Sequence, residues 1–194
     1  MRENALPILE AYGVDLVLTG HSHIYERSFL VRGAYDTPTT AAGHVVDPGD
    51  GRLDGDGAYA SGPAGALYVV AGHGGASTSG AGEHPLMFFS ERANGSCLLD
   101  VIGDLVVLRN VRADGVVSDE VALAHGDGVF LASPRGGESF LAGDAIPIVW
   151  ASVGAVAVIR AEVSLDGGAS FTEIAARTEN DGPFSWTSPR RAGP

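Results

Sequence analysis

The 194-residue chain contains no lysine; all twelve of its cationic side chains are arginines, set against 24 acidic residues for a formal charge of −12. A chain without a basic patch cannot displace the counterions of a nucleic-acid backbone, so no partner of that kind is expected. The acidity is spread through turn segments and reads as a solvated surface. Cysteine is as scarce: Cys97 stands alone, which rules out an internal disulfide framework. It falls in the apolar strand pattern GSCLLDV, where it reads as a small core residue, with a nucleophile as the alternative. No run has the length and apolarity of a membrane span, and no signal-peptide pattern is present. These two absences decide nothing about destination if Met1 is an internal methionine. The 28 glycines and the many short Val- and Leu-rich runs favour strands and turns over helices, so the expected fold class is α+β and mostly β.

What the chain does have is Gly20-His21-Ser22-His23-Ile24-Tyr25-Glu26-Arg27, directly after the apolar run Val14 to Leu18. The run predicts a buried strand, with the two imidazoles at its carboxyl end, where open α/β sheets build their sites. Imidazole is the commonest side-chain metal ligand, and residues at i and i+2 of an extended segment project to the same side. Each histidine can then serve one ion of a metal pair held about 3.5–4 Å apart. The alternative for an isolated His-x-His is polar surface, or support for ligands elsewhere. Gly20 is expected to let the backbone turn tightly, and the Tyr-Glu-Arg tail makes the pattern longer than a chance pair.

Met1 to Ser28, reading MRENALPILEAYGVDLVLTGHSHIYERS, resembles the last conserved block of the calcineurin-like metallophosphoesterases. Within them it is most similar to the purple acid phosphatase branch, whose motif is Gly-His-x-His-x-Tyr-Glu-Arg. The likeness continues through LDGDGAY, LYVVAGHGG, HPLMF and GSCLLDV, and so covers residues 1–123. It implies the C-terminal portion of an α/β/β/α sandwich with a binuclear centre of divalent or trivalent ions: iron, zinc or manganese. In such a centre a metal-activated hydroxide attacks a phosphate ester while both cations stabilise phosphoryl charge. The resemblance assigns one metal to His21 and the other to His23. It gives Gly20, Tyr25, Glu26 and Arg27 supporting places around those ligands, with direct pairing of Glu26 and Arg27 as the alternative. The family also requires an Asp-x-His block, a Gly-Asp block, an Asn-His block and a further histidine ahead of this motif, and none precedes His21. Two imidazoles are too few for two metals, so the chain is expected to be a fragment of a phosphoesterase and inactive alone.

Residues 2–12 read as a short helix with Ala5, Leu6, Leu9 and Tyr12 on one face, closing at Gly13. Half of an α/β unit at the very start supports truncation there. From Phe29 to Ala64 the pattern is irregular and reads as a long loop. Its acidic string DPGDGRLDGDG lacks the spacing and closing glutamate of an EF-hand and reads as solvated turn. Leu67 to Val70 predict a strand, followed by Gly72-His73-Gly74-Gly75, a glycine-rich turn able to approach a phosphate. His73 is therefore a candidate for the substrate rim. His44, His84 and His125 lack a partner pattern and read as surface. Segments 96–102, 105–112 and 116–123 alternate with glycine turns and predict an antiparallel meander.

Composition shifts at 124–131, which reads as a linker. Residues 132–194 then resemble an incomplete immunoglobulin- or fibronectin-like β-sandwich of the kind appended to secreted hydrolases, with Ser164 to Gly168 as a hairpin turn. A sandwich core is the reading for Trp150 and Trp186, with a carbohydrate site as the alternative. The polar run 189–194 suggests a cut carboxyl end. Secretion, or a periplasmic or cell-surface location, follows only from the family likeness and this module. A non-catalytic module that binds a cell-surface glycan or protein is the competing functional class.

Overall fold

The computed structural model describes residues 2–37, 39–62, 65–79, 84–134, 137–180 and 183–189. The fold is α+β and mostly β, in two compact units, Met1–Gly126 and Asp127–Pro194. Among the described residues no helix is long and apolar enough to cross a membrane.

Unit 1 opens with α1 (Arg2–Ala11). Leu6 and Leu9 are half-buried, whereas Tyr12, expected on the same face, lies past the helix end and is 85% exposed. Gly13 follows at φ 70°, the left-handed position after a helix that glycine adopts without a Cβ penalty. Among the described residues nine strands come next: β1 (Leu16–Thr19), β2 (Tyr25–Val31), β3 (Val45–Asp47), β4 (Tyr59–Ala60), β5 (Ala66–Ala71), β6 (Met87–Glu91), β7 (Gly95–Ile102), β8 (Leu105–Arg112) and β9 (Val117–Ala124).

The first sheet runs β1-β5-β2, and the far edge of β2 is shared between β6, beside Tyr25 to Ser28, and β3, beside Leu30 and Val31. β1 is parallel to β5, and β2 is antiparallel to it. The second sheet runs β4-β9-β8-β7, with β7, β8 and β9 forming the meander. The strand expected at 14–18 forms two residues later and is not buried: Leu18 is 48% exposed. β1 lies at the sheet edge with β5 as its partner, so its neighbour-side cover is incomplete. The region expected as loop from Phe29 onward holds the end of β2 together with β3 and β4. The end of β2 becomes strand by pairing with β5, β3 by pairing with β2, and β4 by pairing with β9, partners that local pattern does not announce.

The two sheets meet face to face. Tyr25, Leu30, Leu67 and Val69 of the first pack on Tyr59, Leu108, Val121 and Leu123 of the second. Each fully buried aliphatic side chain there contributes roughly 1.5–3 kcal/mol of transfer free energy. On the opposite face of the first sheet α1 is tied down by Glu10. Its Oε2 accepts from the Gly33 amide at 3.0 Å and the Tyr35 hydroxyl at 2.8 Å, and its Oε1 accepts from the Tyr68 hydroxyl at 2.9 Å.

Unit 2 contains β10 (Gly128–Ser133), β11 (Ala145–Val153), β12 (Val158–Val163), β13 (Thr172–Glu179) and β14 (Phe184–Thr187). They form a β10-β11-β14 sheet and a β12-β13 hairpin. Residues 128–131, expected as linker, are strand: Gly128 to Leu131 pair with Val153 to Trp150. The β12-β13 turn is the expected one. Asp166 accepts from the Ser164 and Ser170 hydroxyls and the Ser170 amide, which hold its carboxyl down at a pKa of about 2, the Ser170 hydroxyl foremost. Trp150 is buried, with its indole N–H donating to Asn180 Oδ1 at 2.7 Å, and Trp186 is half-buried in the wall of a largely apolar cavity. Residues 190–194, at the expected cut end, lie outside the described residues.

Candidate metal site

Because β5 lies between β1 and β2, the chain leaving β1 has to cross the carboxyl end of β5 before it can enter β2. Residues 20–24 make that crossing. The reversal falls on His21, at φ 75°, and not on Gly20 as expected: Gly20 is outside the left-handed region, and a Cβ there would meet nothing within 4 Å. A left-handed non-glycine residue costs roughly 1–2 kcal/mol and persists only where the surroundings over-determine it.

Here the surroundings are the loop after β5. The Gly72 amide donates to the Ile24 carbonyl at 3.2 Å, the Ser79 amide to the His23 carbonyl at 2.9 Å, and the Ile24 amide to the Ser22 carbonyl at 2.9 Å. Gly72 leaves no room for a side chain, since a Cβ would be driven into the Ser22 carbonyl oxygen. The two loops are thus stitched backbone to backbone, and the side chains of His21 and His23 stand exposed on the stitched segment.

Strand alternation divides the rest of the motif. Tyr25 and Arg27 turn into the space between the sheets, each 0% exposed. Glu26 lines a cavity of about 540 Å³ together with Leu6, Tyr68 and Val70. Glu26 and Arg27 therefore do not pair with each other. Arg27 instead grips Asp119 of β9 with two bonds, Nε to Oδ2 at 2.6 Å and Nη2 to Oδ1 at 2.8 Å, and its guanidinium lies 4.3 Å from the Phe88 ring centroid. The Tyr25 hydroxyl donates to Asp119 Oδ2 at 2.8 Å. Burial, and after it the Asp119 charge, pushes the Tyr25 hydroxyl well above the ordinary phenol range.

His73 does not reach a rim. It is 1% exposed, with its ring edge-on to Tyr25 at 5.5 Å between centroids and its Nε2 2.8 Å from Asn110 Oδ1 of β8. An amide oxygen is an acceptor only, so His73 donates through Nε2–H. Asn110 passes its own two protons to Glu91 Oε2 at 3.2 Å and Ser118 Oγ at 3.0 Å, and the Ser118 hydroxyl donates to Glu91 Oε2 at 2.6 Å. The surface reading also fails for His84, which is half-buried with Nδ1 accepting from the Leu86 amide at 3.3 Å. His125 is exposed beside Asp15, its Nε2 2.8 Å from Oδ2.

Cys97, Asn110 and Asp119 lie in one row across β7, β8 and β9. With Tyr25, Arg27 and His73 they form a polar layer within the inter-sheet space. Cys97 packs against the core, and burial followed by the Asp119 charge pushes its thiol up. Asp119, Asn110, Glu91 and Ser118 do not emerge from motif reading. A signal for two of them exists: alternation puts Asn110 on the face of Val106 and Leu108, and Asp119 on that of Val121 and Leu123. A polar side chain in an apolar row calls for a buried partner.

Among the described residues no group of three or more His, Cys, Asp or Glu side chains converges to hold a metal ion. His21 and His23 are two donors, short of the set that two metals need, so this chain by itself does not fit a binuclear centre.

No known protein-family profile matches the chain. Two uncharacterized proteins, from two strains of Mycobacterium tuberculosis, are each 39% identical to it over 77 residues, which cover 40% of this chain and 13% of theirs. The chain thus matches only a small fraction of the length of these relatives. A solved structure of a purple acid phosphatase from yellow lupin (Lupinus luteus) seeds is similar at 22% identity and a TM-score of 0.46, covering 61% of this chain and 19% of that one.

Proposed function

We propose that the His21–His23 loop is one part of a binuclear metal centre of phosphoesterase type, which hydrolyses phosphomonoesters once the remaining ligands come from further protein. One observation carries this reading: two exposed imidazoles sit on a backbone-stitched loop at the carboxyl ends of the parallel pair β1 and β5. His21 and His23 are the ligands in this reading, one for each ion of iron, zinc or manganese. Tyr25 and Arg27 anchor the strand that follows them. A location outside the cytoplasm belongs to the same proposal.

The test has two arms. The purified 194-residue protein is expected to hydrolyse no aryl phosphate; robust metal-dependent turnover would overturn the partial-site reading. In a longer protein that contains this segment, His21→Ala and His23→Ala are each expected to remove metal and phosphatase activity together. Full metal content in either variant would reject the ligand roles.

A second reading concerns unit 2 as a non-catalytic module for a cell-surface glycan or protein. It is supported by the cavity of about 440 Å³ lined by Trp150, Trp186 and Phe140. Tryptophan fluorescence during titration with glycans tests it, and an unchanged spectrum across a glycan panel would count against it.

A further inference from the structure

The loop after β5 touches the His21–His23 segment on one side and the second sheet on the other. On the first side lie the Gly72–Ile24 and Ser79–His23 backbone bonds and the close approach of Gly72 to Ser22. On the other side the His73 carbonyl accepts from the Gly95 amide at 3.2 Å and from Asn94 Nδ2 at 3.0 Å, and the Ala76 carbonyl accepts from the same Asn94 nitrogen at 2.9 Å. Between the two, the His73 ring reaches through the sandwich to Asn110, whose remaining protons are committed to Glu91 and Ser118. Asn110 is 0% exposed. Its orientation is therefore dictated by two acceptors, and its oxygen is left aimed at His73.

We propose that His73, held by Asn110, is a positioning residue that fixes the backbone carrying His21 and His23. It touches neither histidine in this role. It pins the 72–79 loop in depth, and that loop in turn supplies the donors that hold the carbonyls of His23 and Ile24. Of the glycines around His73, Gly72 is the one the close approach requires, since a Cβ there would be driven into the Ser22 carbonyl oxygen. The importance of loop position for metal binding rests on the proposed function, but the mechanical claim does not.

Amide hydrogen exchange by NMR on the 194-residue chain tests the mechanical claim. Loss of a buried hydrogen bond that strands its partner amounts to a roughly ten- to hundredfold change in an opening equilibrium. In His73→Leu the amides of Gly72 and Ser79 are expected to exchange at least about tenfold faster, while those of Leu67 and Val69 in β5 keep their protection. His73→Gln places an amide N–H near the position of Nε2 and is expected to restore slow exchange. Asn110→Leu should reproduce His73→Leu, and the double variant should be no worse than either single one, as for two residues acting through one contact.

Unchanged exchange at Gly72 and Ser79 in His73→Leu, or no rescue by Gln, overturns the proposal. If His73→Leu fails to fold, the wild-type tautomer decides: ¹⁵N chemical shifts showing Nδ1–H rather than Nε2–H also overturn it. Zinc titration by calorimetry is run on the same proteins. If wild-type binds zinc, His73→Leu should bind at least about fivefold more weakly, and unaltered affinity in a protein with loosened loops rejects the coupling between them. Loosened loops in a protein that binds no zinc even as wild-type would support the positioning role and reject the metal reading of His21 and His23.

Discussion

Asp119→Ala is expected to be among the costliest single substitutions in unit 1. Asp119 is 3% exposed and accepts three hydrogen bonds, two from Arg27 and one from Tyr25. Arg27 is 0% exposed, and its third nitrogen, Nη1, has no hydrogen-bond partner among the described residues. Removal of the carboxylate leaves a guanidinium with no counterion in the core. Breaking a buried pair in this way costs about 3–5 kcal/mol, a large share of the roughly 5–15 kcal/mol that a domain possesses.

The loss arises from the stranded charge and not from the attraction alone. Arg27→Met combined with Asp119→Leu should therefore recover most of it, to within about 2 kcal/mol of wild-type. Urea unfolding followed by far-UV circular dichroism and tyrosine absorbance measures both variants. Tryptophan emission is unsuitable as the probe, because Trp150 and Trp186 both belong to unit 2. A cost below about 1 kcal/mol for Asp119→Ala, or a double variant less stable than the single one, would refute the reasoning.

Three further outcomes are expected. Tyr25, Tyr59 and Tyr68 are all raised above the ordinary phenol pKa, chiefly by burial, with Tyr59 pushed up to about 12. The unfolded chain releases these protons near pH 10 and the folded chain keeps them, so stability is intact below about pH 10. Above it, stability falls by about 1.4 kcal/mol per pH unit for each tyrosine, for Tyr59 until about pH 12; a urea midpoint that does not move between pH 9 and 11.5 would contradict this. Glu10→Ala removes the acceptor for Gly33, Tyr35 and Tyr68 and should cost about 1–3 kcal/mol, with α1 amides losing exchange protection first. Gly72→Ala forces a methyl into the Ser22 carbonyl and should cost about 1–3 kcal/mol, with the largest chemical-shift changes at residues 21–24.

The meander was legible because each of its strands carries its own glycine turn: Gly103 and Gly115 reverse the chain at φ 58° and 85°, and local pattern is enough for local pairing. The first sheet was less so. Its order β1-β5-β2 inserts a strand between two that are neighbours in the chain, and nothing in the residues from Leu16 to Val31 announces the intruder. The position of the His-x-His pair at the carboxyl end of a strand was readable; that it lies on a crossing loop, with His21 left-handed where an extended segment was expected, and how that loop is held were not. Arg27 looked like a companion of Glu26 because the two are adjacent, yet alternation sends adjacent strand residues to opposite faces. His73 looked like a rim residue because glycines surround it. Its destination was set by Asn110, whose inward placement alternation with Val106 and Leu108 signals, but whose contact with His73 joins a loop and a strand 37 residues apart and follows only from the packing of the two sheets.

The Arg27–Asp119 contact joins residues 92 positions apart, and the Tyr25–Asp119 contact joins residues 94 apart. Almost the whole of unit 1 is enclosed between those ends, so the contact cannot form early and guide the chain; loop closure on that scale comes late and makes folding slow. What it does instead is inspect the product. If β9 slips by one residue it faces Arg27 with the wrong side of the strand, and a slip by two brings Val121 into the place of Asp119, stranding a charge in either case. An apolar sandwich of the same shape would tolerate such misalignments cheaply. This one penalises them at the final step, next to the loop whose geometry matters most.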